Sequence, residues 1–146
     1  MANQNPFGQS ITAEDILEAL TFFDDWEARY KYIIDLGKEL PALAESKKDD
    51  GHIVRGCQSQ VWIDSQFDDG KVWLEADSDA FIVKGLLGVV LSVFNGKSPQ
   101  TILDYDIEGF FEQLGLLNHL SQTRGNGLRA MVQKIRALAS EYQSSS

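Results

Sequence analysis

The sequence predicts an α+β fold in which a small antiparallel β-sheet packs against several helices. Apolar residues recur at helical spacing in several segments, and two β-branched and aromatic runs, residues 61–63 and 72–74, flank a hairpin signal at Asp68-Asp69-Gly70. Two strands alone are marginally stable in water, so helices are expected to cover one face of the sheet. Five or six helices are predicted around it.

The first two helices are predicted between residues 12 and 38. Thr12 followed by Asp15 resembles a capping box. The first apolar face then consists of Ile16, Leu17, Leu20 and Phe23. Asp24 and Asp25 favour a second helix start, and the buried side of that helix is predicted to hold Trp26, Tyr30, Ile33 and Ile34. Gly37 is expected to end it in the left-handed conformation.

An apolar helix is predicted near residues 82–94, and Asp79 is expected to cap it. Gly85 and Gly88 lower its intrinsic helix propensity, which indicates close packing against a neighbouring element. After it, Ser98-Pro99 is typical of a helix start.

Two further helices are predicted towards the C-terminus. Phe110, Phe111 and Leu114 indicate a short helix that Gly115 closes. The last helix is expected to start near Asn126 or Gly127, with a buried face made by Leu128, Met131, Val132, Ile135 and Leu138.

The chain is predicted to form one domain over residues 1–146, with residues 1–10 and 143–146 flexible. Its most apolar run, residues 85–94, is too short to span a membrane, which takes roughly 18 or more apolar residues. The first residues lack the basic and apolar regions of a secretory signal, so a cytoplasmic location is expected.

The net charge of −9 argues against nucleic acid as a partner, because binding to phosphates requires lysine and arginine. The same acidity fits a protein partner with a basic surface. A single cysteine excludes an internal disulfide. With only His52 and His119 besides, no cluster has the spacing of metal ligands, and no metal is expected.

Cys57, in the stretch GCQSQVW, is the one cysteine and the predicted reactive residue. A free cysteine often serves as a small buried hydrophobe, and that alternative stays open. However, Cys57 stands at a loop-to-strand junction between Gly56 and polar residues, which favours an approachable thiol. A hydrolase would need His52 or His119 as its base, and neither belongs to a known signature. A thiolate that accepts a group and passes it on needs only one cysteine.

Four ordered segments resemble the SufE family of sulfur-acceptor proteins. GCQSQVW is similar to the family's hallmark loop, and residues 32–41 (YIIDLGKELP) are similar to its segment YxxIIxLGxxLP. Residues 77–86 (DSDAFIVKGL) and 111–128 resemble its later blocks. NPFG and ITAEDIL are closer to the CsdE branch, whereas GCQSQVWI is closer to SufE. The chain reads LSQTRGNGL where the family commonly has LSPSRSxGL, but Arg124 is kept.

The resemblance implies a SufE/NifU-like fold and a role in sulfur transfer. Cys57 would accept persulfide sulfur from a pyridoxal-phosphate-dependent group II cysteine desulfurase of SufS or CsdA type, and would stimulate it. Arg124, Asp79, Gly56, Gln58 and Ser59 would support this site, and the role that the resemblance implies for Asp79 is to hold the cysteine loop. An apolar hollow lined by Val54, Trp62 and residues of the apolar helix would hold the cysteine until a partner draws it out.

Sulfur would pass on to iron–sulfur cluster assembly, or to a tRNA-modifying enzyme of ubiquitin-activating (E1-like) type. The chain would hold no cofactor itself, since the pyridoxal phosphate belongs to the partner, and it would act as acceptor and activator rather than as an enzyme. The alternatives are an iron–sulfur cluster scaffold, which needs about three cysteine-type ligands, and a cysteine-dependent hydrolase.

Overall fold

A computed structural model describes residues 5–56 and 59–145 of the chain and confirms the α+β class. Within these residues the helices are α1 (Ala13–Phe22), α2 (Trp26–Lys38), α3 (Phe81–Phe94), α4 (Pro99–Asp104), α5 (Ile107–Leu114) and α6 (Gln122–Ser145). The strands are β1 (Val61–Asp68) and β2 (Lys71–Ser78), and short 3-10 turns span Glu45–Lys47 and Leu117–His119.

The two strands form an antiparallel hairpin in which Val61 pairs with Ser78 and Asp68 pairs with Lys71. Asp69 and Gly70 have positive φ angles of 54° and 75°, which suits a tight two-residue connection. The predicted hairpin is confirmed, and both strands extend beyond the apolar runs that indicated them.

The central element is α3, whose residues are nearly all buried. Gly85 allows α2 to approach closely, because a Cβ atom on it would lie 2.0 Å from the carbonyl oxygen of Ile33. Gly88 makes room in the same way for the ring of Phe7. The close packing predicted from these two glycines is confirmed.

Most predicted helix boundaries are confirmed by their capping contacts. Thr12 and Asp15 form the capping box of α1, Asp25 caps α2, Ser98 caps α4, and Gly115 ends α5 in the left-handed conformation. These are local signals, since each cap depends on residues within one turn of the helix end.

Two helix boundaries were predicted wrongly. Gly37 does not end α2 in the left-handed conformation; it lies inside the helix, where a Cβ atom would lie 2.8 Å from the amide nitrogen of Gly85. The last helix begins at Gln122 instead of Asn126 or Gly127. Its first turn contains Gly125, so the low helix propensity of that glycine does not delay the start of the helix.

The structure describes residues 5–10 and 143–145 of the two terminal segments that the sequence analysis predicts to be flexible. Phe7 is fully buried, and Asn5 donates through its side chain to the carbonyl oxygen of Leu74 at 3.1 Å. At the other end, α6 continues to residue 145. Within the described ranges, no helix has the length and apolarity needed to cross a membrane.

Candidate functional site

A short paired segment leads the chain into and out of the predicted cysteine loop. Val54 donates its N–H to the carbonyl oxygen of Val61 at 2.8 Å, and Ile63 donates to that of His52 at 2.9 Å. These bonds pair residues 52–54 antiparallel to the start of β1 and leave residues 55–60 as the connecting tip. Cys57 and Gln58, both predicted site residues, lie outside the described residues.

Gly56, a predicted supporting residue, stands immediately before the cysteine with a φ angle of +94°. Residues with side chains rarely adopt this conformation, and glycine adopts it without steric cost. A Cβ atom at this position would lie 3.4 Å from the Cβ of Ala130 on α6. The entry to the tip therefore lies close to α6.

The exit from the tip is tethered at Gln60 by residues 78 and 79. Gln60 donates its N–H to Oδ1 of Asp79 at 3.1 Å. Its carbonyl oxygen accepts from the hydroxyl of Ser78 at 2.8 Å and from the N–H of Asp79 at 3.3 Å. Three hydrogen bonds thus fix the backbone three residues after Cys57.

The expectation that Asp79 caps the apolar helix is wrong. The N-cap residue of α3 is Ala80, which has no side-chain capping contact. A local sequence pattern cannot reveal this, because the carboxylate of Asp79 accepts a hydrogen bond from Gln60, which lies 19 positions away in the sequence. The carboxylate of Asp79 therefore forms a long-range hydrogen bond with Gln60 and does not cap α3.

A small cavity lies beside the tip, with a volume of about 40 Å³. By the same measure one water molecule needs roughly 10–15 Å³, so the cavity has room for a small group. One wall comes from α3 and another from the start of α6. It is lined by Ser59, Val83, Leu86, Ser121, Thr123, Arg124, Gly127 and Met131.

The cavity joins two of the predicted supporting residues, Ser59 and Arg124. The N–H of Arg124 donates to Oγ of Ser121 at 3.2 Å, a contact that forms in the first turn of α6. Within residues 5–56 and 59–145 the Arg124 guanidinium makes no hydrogen bond or ion pair. A half-buried guanidinium at a small cavity is suited to binding an anionic group.

The hollow that the resemblance implies for Cys57 stays a prediction, and the cavity beside the tip shares some of its expected lining residues. Val83 and Leu86 of the apolar helix line the cavity, whereas Val54 and Trp62 are buried elsewhere and do not line it. Val54 belongs to the hydrophobic core, whereas the ring of Trp62 lies 5.4 Å from Nζ of Lys48.

Asp77 is a buried carboxylate near this site that the sequence did not single out. Its oxygens accept from the N–H groups of Leu43 and Ser78 at 3.1 and 2.8 Å, and lie 3.3 and 3.4 Å from Nζ of Lys48 and Lys84. Burial raises the pKa of Asp77, but the hydrogen bonds and the two ammonium groups outweigh it and hold the pKa below its ordinary value. The signal that could have pointed to Asp77 is its position near the end of β2, where it stands between the buried residues Ala76 and Ser78.

Both histidines are engaged in contacts of their own. The ring of His52 lies 2.7 Å from Oδ1 of Asp49 and 3.1 Å from Oδ1 of Asp64 through its two nitrogens. His119 stacks on Trp26 at 3.9 Å, and its Nδ1 lies 3.1 Å from the carbonyl oxygen of Gly115. Tyr30 donates its hydroxyl to the carbonyl oxygen of His119. These contacts do not favour either histidine as a catalytic base.

The described part of the chain contains no group of three or more histidine, aspartate or glutamate side chains arranged to hold a metal ion. The carboxylates around the site are instead paired with nearby cations. Lys47, for example, lies 2.8 Å from Asp64 and 3.3 Å from Glu75.

Comparisons with known proteins agree on one family. The model of the SufE family, described as an Fe-S metabolism associated domain, matches residues 14–139. An uncharacterized SufE-like protein of Rhizobium meliloti (strain 1021) is 40% identical over 130 residues, covering 86% of this chain and 93% of that protein. Another from Rhizobium etli is 43% identical over 127 residues, covering 84% and 86%.

A solved structure shows the same fold at lower sequence identity. The solution structure of a hypothetical protein from Thermus thermophilus superposes with a TM-score of 0.74 at 22% identity, covering 90% of this chain and 96% of that one. The family match, which spans most of the chain, and the two SufE-like relatives carry the assignment. The chain therefore belongs to the SufE family, whose domain is associated with iron–sulfur metabolism.

Proposed function

We propose that this protein accepts sulfur on Cys57 from the persulfide of a pyridoxal-phosphate-dependent cysteine desulfurase. The observation that supports the proposal is the way in which the chain is held on both sides of the tip of residues 55–60. Its exit is tethered by Asp79, its entry bends at Gly56, and Ser59 lines a small cavity together with Arg124. In the sequence, Cys57 stands between Gly56 and the cavity-lining Ser59.

The proposed step is a thiol–persulfide exchange. Cys57 first loses its proton to solvent, because the thiolate is the nucleophile. The thiolate attacks the outer sulfur of the persulfide on the desulfurase, a bond forms between the two sulfurs, and the original S–S bond of the donor breaks. The donor's cysteine leaves as a thiolate and takes up a proton. One sulfur atom has moved, and no net oxidation or reduction has occurred.

Arg124 is proposed to stabilise the anionic sulfur species. Both the attacking thiolate and the persulfide product carry negative charge, and hydrogen bonds to charged groups contribute more than neutral ones. An ordinary free cysteine titrates near ~8.5, so only a few per cent is thiolate at neutral pH. A guanidinium close to the sulfur increases that fraction, and contacts from the desulfurase would increase it further.

The remaining assignments follow from the same proposal. The chain acts as an acceptor and as an activator, since removing sulfur from the desulfurase frees it for another turnover. The pyridoxal phosphate resides in the partner of SufS or CsdA type. The sulfur is then delivered to an iron–sulfur assembly scaffold, or to a tRNA-modifying enzyme of ubiquitin-activating type.

Intact-mass spectrometry tests the proposal directly. The protein is incubated with free cysteine and a group II desulfurase, and its mass is measured before and after treatment with a reductant. We expect a gain of one or more sulfur atoms that the reductant removes. Cys57→Ser is the matched control, and a variant that gains sulfur as readily as the native chain would refute the role of Cys57.

A further inference from the structure

The N-terminal part of the chain has an unusual charge distribution. Its first 28 residues contain no lysine or arginine, and residues 14–27 contain six carboxylates: Glu14, Asp15, Glu18, Asp24, Asp25 and Glu27. None of the six forms an ion pair with a basic side chain in residues 5–56 or 59–145. Elsewhere, several carboxylates such as Asp64 and Asp77 are paired with lysine.

An open groove of about 330 Å³ lies on this acidic surface, between α1 and α2. It is lined by Asp15, Glu18, Ala19, Phe22, Phe23 and Tyr32, which we call the α1–α2 groove. Asp15, Glu18 and Phe22 lie three and seven positions apart and therefore share one face of α1. The opposite face of that helix carries the buried Ile16 and Leu20.

Three aromatic residues, Phe22, Phe23 and Tyr32, line the α1–α2 groove. Phe22 is 80% exposed, the highest value among the exposed large hydrophobic residues of the described chain. Its ring lies 5.6 Å from that of Phe23 in an edge-to-face arrangement, and the ring of Phe23 lies 6.0 Å from that of Tyr32. A phenylalanine so exposed contributes little to the core, and its ring is accessible to a partner.

The nearest arginine in the sequence does not neutralise the groove. Nε of Arg29 donates to the carbonyl oxygen of Phe23 at 2.9 Å, and its guanidinium lies over the ring of Trp26 at 5.1 Å. Asp15 stays ionised, because hydrogen bonds from Thr12 lower its pKa. The groove therefore presents negative charge beside aromatic faces, and no basic side chain of the described residues pairs with that charge.

We propose that the α1–α2 groove docks a basic segment of a partner protein. An arginine or lysine of that segment lies over the aromatic faces of Phe22 and Phe23, with its charge directed to Asp15 and Glu18, and neighbouring apolar residues cover Phe22. Aromatic faces attract cations, and carboxylates pair with them, so both features of the groove select the same kind of side chain. This inference is independent of the sulfur chemistry proposed for Cys57.

The charge of each candidate partner indicates which kind of molecule the α1–α2 groove binds. Nucleic acid and membranes rich in anionic lipid both carry negative charge, and the carboxylates of the groove repel them. A second copy of this chain has a net charge of −9 and would bring its own acidic surface. A basic protein segment is attracted, and the attraction should weaken as salt increases.

The test uses a short amphipathic peptide with arginine on its polar face and leucine on its apolar face, titrated into the full-length protein. Backbone amide shifts are followed by NMR, and affinity is measured by calorimetry. We expect the largest shifts within residues 15–32 and binding that weakens with salt. The same peptide with glutamate in place of arginine should not bind.

Matched substitutions distinguish binding at the α1–α2 groove from a general attraction of the peptide to the acidic protein surface. Phe22→Ser and Glu18→Arg should each weaken binding about tenfold. Phe81→Ser removes an equally exposed phenylalanine (78%) outside the groove, and Glu112→Arg makes the same charge change on α5, so both should leave the affinity unchanged. Equal effects of all four substitutions, shifts centred elsewhere, or binding of the glutamate peptide would overturn the proposal, as would self-association through this face.

Discussion

Asp79 and Gln60 exchange two hydrogen bonds across 19 residues of sequence, one through the carboxylate and one through the backbone of Asp79. This pair joins the end of β2 to the loop that contains Cys57, and it places the loop exit against the start of α3. The Asp79 carboxylate supplies one of the three hydrogen bonds that hold Gln60 and makes no other hydrogen bond among the described residues, so its removal should increase the mobility of the loop.

Asp79→Ala should loosen the loop without unfolding the protein. One hydrogen bond contributes roughly 0.5–1.5 kcal/mol, so we expect amide exchange at Gln60 and alkylation of Cys57 to become about fivefold faster. The measurements are hydrogen exchange and the rate of iodoacetamide labelling in the free protein. Asp35→Ala, at an exposed ion pair with Lys38, is the control and should change neither rate. Unchanged rates in Asp79→Ala would mean that the tether does not govern the loop.

Arg124→Met should slow sulfur transfer to Cys57. Loss of a hydrogen bond to a charged group costs roughly 1.5–3 kcal/mol, which corresponds to about a 10- to 100-fold lower rate of persulfide formation, measured by time-resolved intact mass. Arg124→Lys should recover part of the rate, because it restores the charge but not the planar donor geometry.

The control for this arginine lies on the same helix. Arg129 of α6 is exposed and paired with Glu108 at 3.0 Å, outside the cavity. Arg129→Met should transfer sulfur at the native rate. If both substitutions slow the transfer equally, the effect is a general loss of positive charge and Arg124 has no particular role.

Asp77→Asn should destabilise the fold by about 2 kcal/mol at neutral pH, because it removes the buried negative charge that forms ion pairs with Lys48 and Lys84. The folded-state pKa of Asp77 is lowered, so its contribution is present above the unfolded value of about 3.9 and is lost as the pH falls through the folded-state pKa. Urea unfolding of both proteins at several pH values measures the difference. A gap that stays constant into the acid range would contradict this assignment.

Gly85→Ala should cost about 3 kcal/mol or prevent folding, because the added Cβ would lie 2.0 Å from the carbonyl oxygen of Ile33 and separate α2 from α3. Gly125→Ala is its matched opposite. That glycine is helical, its added Cβ would lie no closer than 3.8 Å to the described residues packed against the helix, and alanine should stabilise α6 by about 0.5–1 kcal/mol. Thermal unfolding distinguishes the two, and equal shifts in Tm would refute the packing argument.

Replacing His52 and His119 together with glutamine separates sulfur transfer from hydrolysis. Thiol–persulfide exchange needs no histidine base, so the double variant should still gain sulfur on Cys57 in the mass assay. A cysteine hydrolase would lose its general base and its activity. Loss of sulfur transfer in a variant that remains folded by circular dichroism would reopen the hydrolase alternative.

The sequence alone determined the local features of this protein. The capping box of α1, the Asp69-Gly70 turn and the periodic apolar faces each depend on residues within a few positions of one another, so their signals can be read from the chain. Four ordered motifs were enough to predict the family, and the lone Cys57 is the residue that the sequence predicts to react.

Only the tertiary structure decided how the parts of the site meet. That Asp79 holds Gln60 instead of capping α3, that Gly37 faces Gly85, and that Ser59 and Arg124 share a cavity are contacts between distant segments. The α1–α2 groove likewise appears only when two helices bring their aromatic and acidic residues together. Local propensity says nothing about such contacts, because packing and long-range hydrogen bonds determine them and can override local preferences.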